Sequence, residues 1–203
     1  MANSNTQGFG LIPLGVLGSG PANQGQSKYV IQAGYSDSDL FQGCTVRVVA
    51  GYIEQASLTR TLTCLGVFNG IFYNAATTLK PTWSNWYNQP ITPANSENLT
   101  AFILDNPHQL YVGSMSAAAA QAEYGKTYSF SAADPTGSET SGQCTNTLDY
   151  TNRSVNANQW RLIRTAEDPS NNDITAAYTS VVVVNNLNQF GLGTASAGIT
   201  WAS

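Results

Sequence analysis

The sequence reads CTVRVVAGYI at residues 44–53 and LTRTLTCLGVFNGIFY at residues 58–73. Both stretches are rich in β-branched and aromatic residues, which fit the pleated, half-buried surface of a sheet. From Leu58 to Cys64 threonines alternate with larger side chains, and a period of two is typical of a strand with one buried face. The pair Asn69–Gly70 predicts a turn or bulge inside the second stretch. We therefore predict a group of strands across this region.

Further strands are predicted on both sides of this region, because Asn-Pro and Asp-Pro pairs divide the chain into short apolar runs. The one helical signal is SAAAAQAEY at residues 116–124, where Ser116 suits a helix start and Gly125 a helix end. The other strand-like runs are residues 28–33, 99–104, 109–113, 160–164 and 179–185. The pattern predicts an all-β fold class: a single compact antiparallel β-barrel or sandwich domain over residues 28–203, with at most one short helix.

Residues 1–27 are predicted to form an extended N-terminal arm. Residues 2–27 contain six Gly, two Pro and no charged side chain, so neither a helix nor a long strand is expected there. Apolar side chains on such a segment must pack against their own domain or a neighbouring molecule, because exposure to water is unfavourable. The candidate capsid or subunit contact residues are Phe9, Leu11, Ile12, Leu14, Val16 and Leu17.

The chain is poor in charge. It has 8 Lys plus Arg and 12 Asp plus Glu among 203 residues, whereas Asn, Gln, Ser and Thr supply 71. A net charge of −4 excludes the basic surface that direct nucleic-acid binding requires. The sequence has no run of 18 apolar residues, so no membrane span is predicted. Residues 1–10 lack the basic and apolar parts of a secretory leader. We expect a surface of neutral amides and hydroxyls.

The reactive side chains predict a protein without enzymatic activity. His108 is the single histidine, and it lies in a predicted turn between two strands. The sequence has no nucleophile elbow and no phosphate-binding loop. Asp37 and Asp39 supply only a fragment of a calcium-ligand pattern. We predict no catalytic residue, no cofactor and no metal site.

The cysteines have no metal-ligand spacing, and we interpret them as free or buried thiols. The alternative is a single disulfide, for example between Cys44 and Cys64, if the protein works outside the cell. The three cysteines are Cys44, Cys64 and Cys144.

Residues 81–90, PTWSNWYNQP, concentrate large aromatic side chains among amides. Trp83, Trp86 and Tyr87 permit two interpretations. They either form a platform on which a sugar stacks, with Asn and Gln side chains as hydrogen-bond partners, or they fill one end of the domain as core residues.

Six sequence blocks together resemble a known family. They are MANSNTQGFGLIP (1–13), GQSKYVI (25–31), LGVFNGIFYNAATTLKPTWSNWY (65–87), AFILDNPHQLYVG (101–113), LIRTAEDPSNN (162–172) and SVVVVNNLNQF (180–190). Their order resembles small virion proteins of tailed, marine podovirus-like bacteriophages that are associated with head decoration, or capsid cement. The resemblance covers most of the chain.

The resemblance implies a structural virion protein that binds the outside of the capsid and joins neighbouring capsomers against internal DNA pressure. Its expected partners are the major capsid protein and neighbouring copies of itself, as a homo-oligomer on the capsid, with no direct nucleic-acid or membrane contact. The expected location is the capsid exterior, after synthesis in the host bacterial cytoplasm. The alternative is a carbohydrate- or receptor-binding virion module that uses Trp83 and Trp86.

Overall fold

A computed structural model describes residues 3–18, 25–56, 62–131 and 136–190. Its strands are Ile12–Val16 (β1), Ser27–Ile31 (β2), Thr45–Val49 (β3), Tyr52–Gln55 (β4), Gly66–Asn74 (β5), Pro81–Ser84 (β6), Leu99–Leu104 (β7), Gln109–Ser114 (β8), Thr127–Tyr128 (β9), Gly137–Ser138 (β10), Gln143–Cys144 (β11), Trp160–Thr165 (β12) and Ser180–Asn185 (β13). The prediction of an all-β fold is confirmed. The start of the predicted 58–73 strand, through residue 61, lies outside the described ranges.

The strands form two larger antiparallel sheets and one small hairpin. The first sheet has the order β1-β8-β13-β12-β9, and the second has the order β2-β7-β5-β3-β4. Strand β6 also belongs to the second sheet, where it pairs with the C-terminal half of β5. The small hairpin is β10-β11. No helix within the described ranges is long and apolar enough to cross a membrane.

Strand β5 runs through the predicted turn or bulge without reversing. Its pairing with β7 shifts in register between Phe68 and Gly70, which is a β-bulge at Asn69. Gly70 has φ +151°, a backbone conformation that glycine adopts easily. The bulge keeps Phe68 and Ile71 buried in the core on either side of it.

The buried apolar side chains form two clusters, one mainly under each larger sheet, and Val67 and Leu104 of the second sheet belong to the first cluster. The first contains Tyr111 and Trp160, whose rings meet edge to face with centroids 5.4 Å apart. The second contains Phe68 and Ile103. Trp160 connects the sheets, because its indole Nε1–H donates a hydrogen bond of 3.2 Å to Oγ1 of Thr45 at the start of β3.

The predicted helix over residues 116–124 is much shorter in the structure. Its helical part is a single 3-10 turn, Gln121–Glu123. Ser116 does not cap a helix; its backbone N–H bonds to the carbonyl of Leu148, and its hydroxyl accepts a hydrogen bond from the backbone of Tyr150. Ala119 is fully buried in the first cluster. These tertiary contacts outweigh the helix propensity of the alanines.

Glu123 ends this turn as a buried carboxylate with three partners. Lys126 and Arg153 approach it at 3.0 Å each, and the Tyr128 hydroxyl donates to it at 2.7 Å. Burial by itself raises the pKa of Glu123, but the hydrogen bonds from Tyr128 and Lys126 and the charge of Arg153 outweigh burial and lower it. The charged form of Glu123 therefore stabilises the fold.

We expect Glu123→Gln to lower the free energy of unfolding by about 2 kcal/mol at pH 7, because it removes the charge that two cations face. A depressed carboxyl pKa contributes stability above its ordinary value of 4.5, and that contribution is lost as pH falls through the folded-state pKa. The difference between wild type and variant should therefore shrink below pH 4.5. Urea unfolding at pH 7, 5 and 3.5 measures it, and a difference that stays constant would contradict the assignment.

Candidate functional site

The N-terminal segment, residues 3–18, lies against its own domain. Gly8 is so close to the carbonyl oxygen of Asn146 that a Cβ atom would stand 2.2 Å from it. Leu11 is 2% exposed within the first apolar cluster, and its backbone N–H donates to the carbonyl of Gly43 at 3.0 Å. Phe9 is half-buried at a cavity of about 150 Å³. The first part of the predicted arm is thus integrated into the fold; residues 19–24 lie outside the described ranges.

Strand β1 lies within this segment and is the last strand at one end of the first sheet. It pairs antiparallel with β8, and the register shifts between Pro13 and Gly15. Buried Gln109 fixes the strand, because its side-chain amide donates to the carbonyl of Gly15 at 2.7 Å. Within the described residues no strand pairs with the other side of β1. Pro13 is typical of such a position, since proline lacks the N–H of a ladder hydrogen bond.

Three apolar side chains, two on β1 and one directly after it, are partly exposed to solvent. Ile12 is 51% exposed, Leu14 is 44% exposed and Leu17 is 46% exposed. We call these three residues the β1 surface. Val16, the remaining candidate of the group, is half-buried.

A groove of about 330 Å³ lies next to the β1 surface. Its apolar lining comes from Leu14, Val112 and Ala166, and its charged lining from Arg164 and Glu167 with the neighbouring Asp168. The β1 surface is therefore bordered by a shallow depression with an apolar floor and charged groups.

The three aromatic residues of the predicted sugar platform do not lie together as one surface. Tyr87 is fully buried in the second cluster, where its hydroxyl donates to the backbone carbonyl of Tyr35. Trp86 is half-buried and stacks on Phe41, with centroids 5.5 Å apart and the rings nearly parallel. Trp83 is 51% exposed on β6. The core interpretation therefore describes Tyr87, whereas Trp86 is partly covered by Phe41 and Trp83 is the most exposed of the three.

Trp83 instead belongs to a different aromatic group. Its ring lies 5.0 Å from the ring of Phe102 on β7, centroid to centroid. Phe72, directly opposite Trp83 on β5, is 41% exposed, and Val30 on β2 is 38% exposed. We call Val30, Phe72, Trp83 and Phe102 the aromatic face. The sequence analysis missed Phe72 and Phe102. Successive side chains of a strand point to opposite faces of the sheet, so Phe72 and Phe102 face away from the core that their neighbours Ile71 and Ile103 enter.

The single histidine and the three cysteines do not form one reactive group, although Cys44 and Cys144 lie in the same buried cluster. His108 is exposed, and its backbone N–H bonds to the side chain of Asn106 in the predicted turn. All three cysteines are free and fully buried, as interpreted from sequence. Burial raises the pKa of the Cys64 and Cys144 thiols to about 12 and that of Cys44 well above its usual range. These thiols stay protonated at neutral pH and are therefore poor nucleophiles.

Asp39, one of the two aspartates of the calcium-ligand fragment, is held by a hydrogen bond from a segment distant in sequence. Asp39 accepts a hydrogen bond from the backbone N–H of Gln89 at 2.9 Å. Within the part of the chain that the structure describes, no three His, Cys, Asp or Glu side chains come together as metal ligands. Comparison with protein-family models, with curated proteins and with solved structures found no match to this chain.

Proposed function

We propose that this chain is a structural protein of a tailed-phage virion that binds the outside of the capsid and joins neighbouring capsomers. The observation that carries the proposal is the β1 surface: two partly exposed apolar side chains on a strand at the end of a sheet, and a third, Leu17, directly after that strand. The resemblance of the sequence blocks supplies the class of partner, which is the major capsid protein.

The β1 surface suits an apolar side-chain contact with a partner molecule. The exposed side chains of Ile12, Leu14 and Leu17 can fill apolar pockets on that partner. A fully buried Leu or Ile contributes about 1.5–3 kcal/mol, so three side chains that are about half exposed retain about 3 kcal/mol in total. This contact is weak by itself, because a dissociation constant of 1 mM already corresponds to about 4 kcal/mol.

Weak single contacts are compatible with a cement role. A capsid offers the same site many times, and a homo-oligomer that engages several sites holds far more tightly than one copy. The low charge of the chain also helps, since few charged groups lose water when subunits pack closely. We therefore propose neighbouring copies of this chain and the major capsid protein as its partners on the capsid exterior.

The triple variant Ile12→Thr/Leu14→Thr/Leu17→Thr tests the proposal. Threonine retains strand propensity and removes most of the apolar area, so we expect at least tenfold weaker binding to capsids that lack this protein. Co-sedimentation with capsids of the phage that encodes the chain measures binding, and particle survival on heating measures cementing. Val155→Thr is the control, because Val155 is 74% exposed outside the strands.

One result would contradict the proposed function, and another would contradict only the assignment of the contact to the β1 surface. Wild-type protein that does not bind such capsids would remove the cement function altogether. Wild-type binding with undiminished binding of the triple variant would retain the function and assign the contact to another surface.

A further inference from the structure

We infer that the aromatic face is a binding site for a neutral sugar, with Trp83 as the stacking residue. The aromatic face lies on strands β2, β5, β6 and β7 of the second sheet, whereas the proposed capsid contact lies on β1 of the first. The inference is independent of the cement function.

One side of the Trp83 ring is packed against its own sheet. A Cβ atom on Gly70 would stand 2.6 Å from Cζ2 and 2.8 Å from Cη2 of Trp83, so the indole lies directly over the glycine. Phe102 supports the same ring from β7. The glycine at the bulge thus creates the space in which the indole rests. Little side-chain entropy remains to be lost on binding, which favours affinity.

The aromatic face is poor in charged groups, which suits an uncharged ligand better than a multiply charged one. The four strands that carry it contain one charged side chain, Lys28, which lies opposite Phe102 in the register of β2 and β7. Thr100 lies opposite both Phe72 and Val30. The side chain of Asn69, at the bulge, is bonded elsewhere, because its Oδ1 accepts from Gln42 at 2.8 Å and its Nδ2 donates to Gln26 at 2.7 Å. The hydroxyl of Thr100 and the ammonium group of Lys28 therefore supply the polar groups next to the rings, and both suit the hydroxyl groups of a sugar.

The exposed area selects a small ligand. Aromatic side chains have about 150–250 Å² each, so the exposed parts of this group amount to roughly 300 Å². A stable protein interface takes about 800 Å² from each partner, of which about 450 Å² is apolar, so this group is too small for a second copy or a protein partner. A hexopyranose has one flat face of C–H groups, which stacks on an aromatic ring, and a rim of hydroxyls. We therefore assign the site to a hexose unit of a neutral polysaccharide.

Affinity electrophoresis in gels that contain hydroxyethyl cellulose, dextran or galactomannan tests the assignment with the full chain. We expect at least one of these polymers to retard the wild-type protein, and polyethylene glycol to leave it unretarded. Trp83→Ala should weaken the retardation about five- to 150-fold, which corresponds to the roughly 1–3 kcal/mol for a nucleobase stacked on one aromatic ring, taken here as the measure for a stacked sugar. Trp83→Tyr should restore part of it, since a ring is present again.

The matched control is Phe190→Ala, which removes an aromatic ring that is 62% exposed outside the four strands. It should bind as the wild type does. Circular dichroism and the melting temperature verify that each variant is folded. Wild-type protein that none of the three polysaccharides retards would overturn the inference, as would equal retardation of wild type and a folded Trp83→Ala. Self-association that disappears in Trp83→Ala, without polysaccharide binding, would overturn it in favour of contact between copies.

Discussion

Trp160→Ala should lower the free energy of unfolding by about 3–5 kcal/mol, the range measured when a large buried aromatic side chain is truncated to alanine. Trp160 is fully buried, and its ring contacts Tyr111 edge to face. Its indole N–H is also bonded to Thr45 of the second sheet. The substitution therefore leaves a cavity under the first sheet and breaks a hydrogen bond between the two sheets.

Denaturant unfolding followed by circular dichroism measures this loss, and Trp160→Phe divides it into two parts. Phenylalanine keeps most of the ring volume and removes the donor, so we expect a smaller loss of about 1–2 kcal/mol for the hydrogen bond and the reduced contact. If Trp160→Ala and Trp160→Phe destabilised equally, the packing part of the explanation would be wrong.

Gly66→Ala has the second largest expected effect, a loss of about 3 kcal/mol or more from overpacking. Gly66 begins β5, where that strand pairs with β3 and lies beside β7. A Cβ atom there would stand 2.1 Å from the carbonyl oxygen of Leu104, which is backbone and cannot turn away as a side chain does. The added methyl group fits only if strands β5 and β7 move apart.

Gly15→Ala is the matched control for Gly66→Ala. Gly15 also lies in a strand, but an added Cβ would meet no atom within 4 Å. The control should therefore be neutral or gain a few tenths of a kcal/mol, because alanine restricts the unfolded chain. Comparison of melting temperatures decides the matter, and similar values for the two variants would contradict the steric explanation.

Local patterns predicted most of the strands. The predicted run at residues 99–104 coincides with β7, and the runs at 109–113, 160–164 and 179–185 differ from β8, β12 and β13 by one residue at an end. These strands are long and apolar enough for side-chain type alone to identify them. The 44–53 run becomes two strands, because Ala50 and Gly51 have positive φ and turn the chain between β3 and β4.

Features that depend on distant pairing were not predictable. Strand β1 forms because β8 offers a partner almost a hundred residues away, and the proline and glycine within its sequence IPLGV weaken the strand signal. In PTWSNWYNQP, the sequence does not say which ring faces inward; the register of β6 with β5 exposes Trp83, and the turn that follows buries Tyr87. The meeting of Trp83 with Phe102 likewise requires the bulge at Asn69 and the absence of a side chain at Gly70.

The order of strands along the chain also bears on folding during synthesis. Every strand of the second sheet lies within residues 27–104, so its pairing requires nothing that the ribosome makes later. Strand β1 is synthesised before the other described strands, yet its partner β8 begins at Gln109, and the neighbour of β8 in the sheet, β13, begins at Ser180. The strands of the second sheet can therefore pair before β1 has a partner. The place of β1 in the first sheet becomes available only after β8 has been translated.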